Sequence, residues 1–149
     1  MSSIVTFSIR AAEPSDSHGI RLLYQALSRP KRQIRASEYL VAVNTSGVIG
    51  CAAVRAFRGG GYLYGLAVER AAQRRGVGTG LTLARLDRVG ESGAELAIVM
   101  AMFWNVGFFR RLGFESIRRE DLPGSAKRLA DFRNPLYKRS AVLCRILQP

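Results

Sequence analysis

The chain has 149 residues, 48% apolar and 23% charged, the balance of an ordinary globular protein of one domain, expected to span residues 1–149. That balance excludes intrinsic disorder, collagen and coiled coil, and no apolar run reaches the ~18 residues of a membrane span. Charge is the outlier: 23 Lys plus Arg against 11 Asp plus Glu give a formal +12, a field that favours anionic partners and says nothing of fold.

Arginine supplies 20 of the cations, and the lysines are Lys31, Lys127 and Lys138. They are scattered singly and in pairs, without the block of five or more like charges that marks a nucleic-acid tail. The start, Met1-Ser2-Ser3-Ile4-Val5, lacks a basic region followed by an apolar run, so no secretory signal is expected. Two cysteines, Cys51 and Cys144, are too few for a disulfide framework and read as reduced core residues of a cytoplasmic protein.

Residues 4–10 alternate as a strand. Pro14 and Asp16 open a helix whose Ile20, Leu23 and Leu27 recur at helical spacing, with Pro30 after its end. Residues 38–44 and 48–57 are strands joined by a turn at Thr45-Ser46-Gly47. Gly59-Gly60-Gly61 ends the second, and 62–68 is a third, giving an antiparallel meander. A glycine loop, 73–78, leads into a helix over about 79–91, whose Leu81, Leu83, Ala84, Leu86 and Val89 lie on more than one side and predict a largely covered helix. The run 95–101 is of buried-strand type. Trp104, Phe108 and Leu112 recur every four residues in a short helix stopped by Gly113, and this stripe reads as core. Residues 114–118 form a strand, 121–135 loop or short helix, and 140–147 a last strand. The order β-α-β-β-β-α-β-α-β-β predicts an α/β (α+β three-layer) domain: a mixed, mostly antiparallel sheet with helices on both faces.

The stretch Leu66-Ala67-Val68-Glu69-Arg70-Ala71-Ala72-Gln73-Arg74-Arg75-Gly76-Val77-Gly78-Thr79 carries the chemistry. A strand ends, the chain turns through glycines, and a helix begins. Gly76 and Gly78 lack Cβ, so a ligand can approach the backbone. The first N–H groups of the helix have no intrahelical partner and point from its positive end, which makes an anion site suited to diphosphate. Arg74 and Arg75 add charge. No Gly-Lys-Ser/Thr follows, so this is not a Walker loop, and Gly80 is misplaced for the dinucleotide fingerprint.

Gln73-x-x-Gly76-x-Gly78, five residues beyond Val68, resembles motif A of the GNAT superfamily of N-acetyltransferases. Phe108-Phe109-Arg110-Arg111-Leu112-Gly113-Phe114 is similar to that family's later aromatic-aromatic-x-x-Leu-Gly-Phe element. The likeness covers about residues 4–118. It implies acetyl-CoA as cosubstrate and no metal. The backbone of Arg74, Arg75, Gly76, Val77, Gly78 and Thr79 would wrap the pyrophosphate, and Leu66, Ala67 and Val68 would pair with the pantetheine arm. In the family this strand splays from its neighbour, here 95–101, to admit that arm. The N–H of Val68 would polarise the thioester carbonyl. The implied chemistry is direct attack by a neutral amine in a ternary complex.

The chain departs from the pattern at three positions. Phe109, counted with the cofactor-binding residues, stands where many members carry a tyrosine that protonates the leaving thiolate; Tyr137, in the tail, could reach over but reads more simply as a packed surface residue. Arg70 replaces a proline. Tyr62 occupies the place of a glutamate base found in some members. By alternation Tyr62, Tyr64, Leu66 and Val68 share a face, so Tyr62 and Tyr64 join Val68 as the catalytic candidates. A tyrosine of ordinary pKa, about 10, is a poor base at neutral pH, so Tyr62 would relay through water or orient the substrate. Glu69 falls on the opposite face, and His18 reads as exposed. No His/Cys/Asp/Glu cluster has metal-ligand spacing.

The family's acceptor pocket corresponds here to Tyr24, 29–35 and 119–139, both latter stretches arginine-rich. A small primary amine bearing a carboxylate, such as an amino acid, fits them. Two alternatives stay open: a protein or peptide N-acetyltransferase, and a catalytically silent acetyl-CoA-binding or nucleic-acid-associated module. No aromatic–basic platform favours nucleic acid, and no membrane partner is expected. Homodimers are common in the family, and the sequence does not show one.

Overall fold

The computed structural model describes residues 6–147; Ile4 and Val5, expected in the first strand, lie outside them. The described residues form β1 (Ser8–Ala11), α1 (Ser17–Ala26), β2 (Tyr39–Asn44), β3 (Gly47–Phe57), β4 (Gly60–Val68), α2 (Val77–Glu91), β5 (Leu96–Ala101), α3 (Val106–Arg111), β6 (Glu115–Ser116), α4 (Gly124–Lys127), α5 (Ala130–Arg133) and β7 (Ala141–Ile146). The strands run β1-β2-β3-β4-β5-β7-β6 in one sheet. β4–β5 pair parallel, whereas β1–β2, β2–β3, β5–β7 and β6–β7 pair antiparallel. This is the expected mixed α/β sheet, with α4 and α5 filling the stretch read as loop or short helix. The chain divides into two compact units, Met1–Val54 with Gly65–Arg85, and Arg55–Tyr64 with Leu86–Pro149.

In the first unit, α1 is introduced by a 3-10 turn at Pro14–Asp16. The Asp16 carboxylate accepts the Glu13 N–H at 2.7 Å and pairs with Arg10 at 2.7 Å. Ile20, Leu23 and Tyr24 turn inward at helical spacing. The helix closes in a Schellman motif, with Arg29 N–H on Tyr24 O (2.9 Å) and Ser28 N–H on Gln25 O (3.0 Å). Ser28 takes the left-handed position usually given to glycine (φ +54). The core packs Leu40, Ala42, Ile49 and Ala52 of β2 and β3 against Ala72, Val77 and Leu81, with Phe7, Ile9, Leu66, Val68 and Ala84 around them. Gly50 allows that contact: a Cβ there would lie 2.9 Å from Val77 Cγ1 and 3.1 Å from Leu81 Cδ1.

α2 begins two residues earlier than its sequence suggested, at Val77. Of the apolar residues expected to be covered, Leu81, Leu86 and Val89 are buried, and Leu83 is 45% exposed. Arg85 supplies the unexpected burial. It is fully enclosed, donating to Ala53 O at 3.3 Å, Leu81 O at 3.4 Å and Thr82 Oγ1 at 3.0 Å. Desolvation pulls its pKa down to about 10, so it stays cationic at neutral pH, and those acceptors offset part of the cost of burying it.

In the second unit, Gly60–Leu63 of β4 pair with Leu96–Val99 of β5, and β5 pairs with β7 from Leu96↔Ile146 to Ala101↔Ala141. Gly60 and Gly61 were expected to break the chain and instead lie inside β4. Gly60 is there for close approach: its Cβ would meet Leu96 O at 2.6 Å. The stripe Trp104–Phe108–Leu112 is also corrected. Trp104 sits in a 3-10 turn ahead of α3 and is 63% exposed, whereas Phe109 is the buried ring.

Candidate active site

Between β4 and α2 the chain makes a 3-10 turn at Arg70–Ala72 and then two left-handed residues, Arg74 (φ +64) and Gly76 (φ +87). Turns that include left-handed residues can gather successive main-chain N–H groups on one side, the geometry of an anion-binding concavity. The helix then makes a Gly80 N–H to Gly76 O bond at 2.9 Å, so Val77, Gly78 and Thr79 present their N–H groups at its positive end. Arg74, Arg75 and Gly76 are exposed, and Gly78 and Thr79 partly so. A Cβ on Gly76 would find open space. The glycine is therefore required by its backbone angle and leaves the concavity clear for a ligand. Val77, by contrast, points into the core and anchors the helix start.

The loop is braced to the strand before it. Gln73 Nε2 donates to Val68 O at 2.9 Å, and Glu69 N–H donates to Ile49 O at 2.8 Å. Leu66, Ala67 and Val68 lie on β4 beyond its last pair with β5, Leu63↔Val99. Their expected alternation with Tyr62 and Tyr64 is interrupted at Gly65, which is left-handed (φ +71). The kink is held by buried hydroxyls. Tyr24 Oη donates to Gly65 O at 2.7 Å and lies 2.9 Å from Tyr39 Oη, while the Cys51 thiol approaches Gly65 O at 3.7 Å. Tyr24 was expected to line an acceptor pocket; it is 6% exposed and its hydroxyl is spent on Gly65. Burial raises the Tyr24 and Tyr39 phenols above their ordinary value and pushes the Cys51 thiol up to about 11.

In the second unit, Tyr62 and Tyr64 stack, ring centroids 5.7 Å apart. Arg55 lies over the Tyr64 ring at 5.1 Å and donates to its hydroxyl at 3.3 Å. Tyr62 Oη donates to Asp131 Oδ2 at 2.7 Å, and Phe132 meets the Tyr62 ring edge-on at 5.2 Å. Asp131 was not singled out from the sequence; it lies 69 residues from Tyr62, and no local pattern announces it. A cavity of about 310 Å³ is lined by Arg119, Glu120, Leu122, Lys127 and Phe132, within the stretch 119–139 assigned to the acceptor.

The Leu112-Gly113-Phe114 motif is a helix cap. Phe114 N–H bonds Phe109 O at 3.1 Å and Gly113 N–H bonds Arg110 O at 3.0 Å, with Gly113 left-handed (φ +88). The hydrophobic contact that accompanies such a cap is Phe109 on Phe114, centroids 5.5 Å apart. Position 109 therefore needs an aromatic ring for packing, whatever else it does. Tyr137 ends a 3-10 turn and is half-buried, and His18 and Glu69 are exposed. Among the described residues no group of three or more His, Cys, Asp or Glu could hold a metal ion, and no helix is long and apolar enough to cross a membrane.

A family model described as an acetyltransferase (GNAT) domain matches residues 35–116. No curated protein matches the chain. Among solved structures it resembles N-acetylglutamate synthase from Neisseria gonorrhoeae complexed with coenzyme A and N-acetyl-glutamate, at 23% identity and TM-score 0.82 over 99% of this chain and 37% of that one. The same enzyme complexed with coenzyme A and L-arginine gives 26% identity and TM-score 0.80, over 96% and 34%. A Mycobacterium tuberculosis protein in complex with CoA gives 19% and 0.80, over 95% and 99%. The chain thus spans about a third of the Neisseria chains it matches. With a family match over more than half of its residues, the chain belongs to the GNAT family of N-acetyltransferases.

Proposed function

We propose that residues 1–149 act as one cytoplasmic domain that transfers an acetyl group from acetyl-CoA to the primary amine of a small molecule bearing a carboxylate. The observation that carries this reading is the exposed concavity at Arg74–Thr79. Left-handed backbone at Arg74 and Gly76 and the free start of α2 converge there, the donor set that a diphosphate needs. Val77, Gly78 and Thr79 hold it by main-chain N–H groups, and Arg74 and Arg75 add charge. Leu66, Ala67 and Val68 offer main-chain groups to the pantetheine arm, and the Val68 N–H polarises the carbonyl under attack. Phe109 contributes through the cap it packs. The coenzyme, when bound, supplies an acetyl group activated on sulfur. The protein supplies proximity, orientation and removal of the amine's extra proton, a task we assign to Tyr62 and Tyr64.

The acceptor class rests on the cavity in the second unit. Its volume is at the small end of small-molecule sites, and Arg119 and Lys127 line it with Glu120, Leu122 and Phe132; Arg119 already donates to Tyr137 O and Ser140 O, and Lys127 to Glu120 O. The two cations of the lining outnumber its one carboxylate, Glu120, a balance that suits an acceptor bearing a carboxylate. The Neisseria relative complexed with N-acetyl-glutamate points the same way. A thiol-release assay with acetyl-CoA and a panel of L-glutamate, L-glutamine, L-lysine, putrescine and spermidine tests the reading. Acidic and amide amino acids should be turned over faster than the polyamines; equal or reversed preference contradicts the assigned class.

A further inference from the structure

We infer that Tyr24 is a positioning residue for acetyl transfer: its hydroxyl holds the left-handed kink at Gly65 that aims the Val68 N–H at the thioester carbonyl. This deepens the reading above and rests on it. A residue at φ +71 lies outside the range of a strand, so β4 leaves its extended course at Gly65, and Leu66, Ala67 and Val68 run on in the direction the kink sets. Side chains fix that direction. Tyr24 Oη donates to Gly65 O at 2.7 Å, and the Tyr39 hydroxyl stands 2.9 Å from Tyr24 Oη. Both oxygens lie on the side where a Gly65 Cβ would stand, which would meet Tyr24 Oη at 2.6 Å and Tyr39 Oη at 3.3 Å. Glycine is therefore required twice, by its backbone angle and by the two hydroxyls.

The three residues after the kink are held at their far end as well. Gln73 Nε2 donates to Val68 O at 2.9 Å, and Glu69 N–H donates to Ile49 O at 2.8 Å. With Gly65 O fixed before it and Val68 O after it, the peptide between Ala67 and Val68 is constrained from both sides. Its N–H is the donor assigned to the carbonyl under attack. Tyr24 belongs to the anchor and not to the reacting groups: it is 6% exposed, and Tyr39 and Cys51 beside it are fully enclosed. Its own carbonyl accepts the Arg29 N–H at 2.9 Å, so one residue ties the end of α1 to the kink in β4. Every group in this set of contacts lies in the first unit. A preorganised donor acts by standing where charge develops, and a displacement of about 1 Å can cost about 100-fold in rate. Binding of the coenzyme's diphosphate does not depend on that aim, so the effect of Tyr24 falls on turnover.

Two variants separate aim from stability. Tyr24→Phe keeps the ring and removes the hydroxyl. Ile20→Val trims a buried side chain of the same helix and leaves the hydroxyl in place, so it reports what lost stability does by itself. kcat and KM are measured with acetyl-CoA and whichever amine of the panel is turned over fastest, below each variant's thermal midpoint, together with calorimetric binding of coenzyme A. Difference infrared spectra of bound acetyl-CoA, isotope-labelled at the thioester carbonyl, read the polarisation of that carbonyl directly. In Tyr24→Phe, kcat should fall about 10- to 100-fold while coenzyme A affinity stays within about 2-fold. The lowered carbonyl frequency expected in the unmutated protein should return toward that of free acetyl-CoA. Ile20→Val should keep both kcat and the lowered frequency. Tyr39→Phe, which removes the hydroxyl beside Tyr24 Oη, should move kcat and the carbonyl band in the same direction, and it carries the test if Tyr24→Phe does not fold. An unchanged kcat and carbonyl band in Tyr24→Phe, a loss in coenzyme A affinity in place of kcat, or an equal loss in Ile20→Val makes the contact structural and overturns the inference while sparing the reading beneath. A bound carbonyl in the unmutated protein that absorbs where free acetyl-CoA does has the same consequence. Failure of the unmutated protein to bind coenzyme A, or to acetylate any amine of the panel, overturns both.

Discussion

Gln73 reaches back across the loop to donate its side-chain amide to the carbonyl oxygen of Val68, 2.9 Å away. One bond ties the end of β4 to the turn that presents the anion-binding N–H groups. The first glutamine of motif A is thus a brace, and its contribution is to the loop's order rather than to direct contact with phosphate. Gln73→Ala should weaken coenzyme A binding about 5- to 10-fold, the size of one net hydrogen bond near 1 kcal/mol. Gln73→Glu, which cannot donate and adds a negative charge beside the site, should weaken it more. Titration calorimetry of both variants checks this. Equal affinity in all three proteins would remove Gln73 from the site.

Gly76 and Gly59 make a matched pair. Both are left-handed, at φ +87 and +94, and both face open space where a Cβ would stand. Alanine at either position should cost about 1–2 kcal/mol of stability through backbone strain alone. Only Gly76→Ala should also reduce coenzyme A affinity, because only Gly76 shapes the concavity. Urea unfolding together with coenzyme titration of the two variants reads both effects. A loss of affinity in Gly59→Ala as great as in Gly76→Ala would make the effect one of general stability.

The Gly65 kink carries a pH signature. Burial raises the Cys51 thiol from 9.0 to about 11 and the Tyr24 phenol above 10.0. A folded-state pKa above the unfolded value means that the folded protein holds its proton longer. The stabilisation is present in full below about pH 9 and is lost as pH rises through the folded values. The urea midpoint should therefore be flat up to about pH 9 and then fall. Cys51→Ala should make that decline shallower. Tyr24→Phe, which removes the donor to Gly65 O, should lower stability at pH 7 by about 1–3 kcal/mol. A midpoint in Cys51→Ala that falls as steeply as in the unmodified protein contradicts this assignment.

The parts legible in the sequence are those set by local rules. Strand alternation, the glycine turn into α2 and the Leu112-Gly113-Phe114 cap depend on neighbours within a few residues. The misreadings come from longer range. Gly60 and Gly61 look like a break until β5 is seen beside them, where a side chain at Gly60 would strike Leu96 O. Trp104 keeps the period of Phe108 and Leu112, but it precedes α3 in a 3-10 turn, so the period carries no meaning there and the ring is exposed. Alternation along β4 fails at Gly65 because two tyrosines and a cysteine from elsewhere in the first unit hold the kink. Asp131 follows the same logic: its partner is distant in sequence, and α5 is too short to show a periodic face.

The most direct test of the central claim watches the backbone amides themselves. Amide NMR spectra of the labelled protein are recorded during titration with coenzyme A. The account predicts saturable shifts concentrated at Arg74, Arg75, Gly76, Val77, Gly78 and Thr79, with smaller ones at Leu66, Ala67 and Val68. A spectrum that does not change, or coenzyme A bound with those amides unmoved, would contradict it.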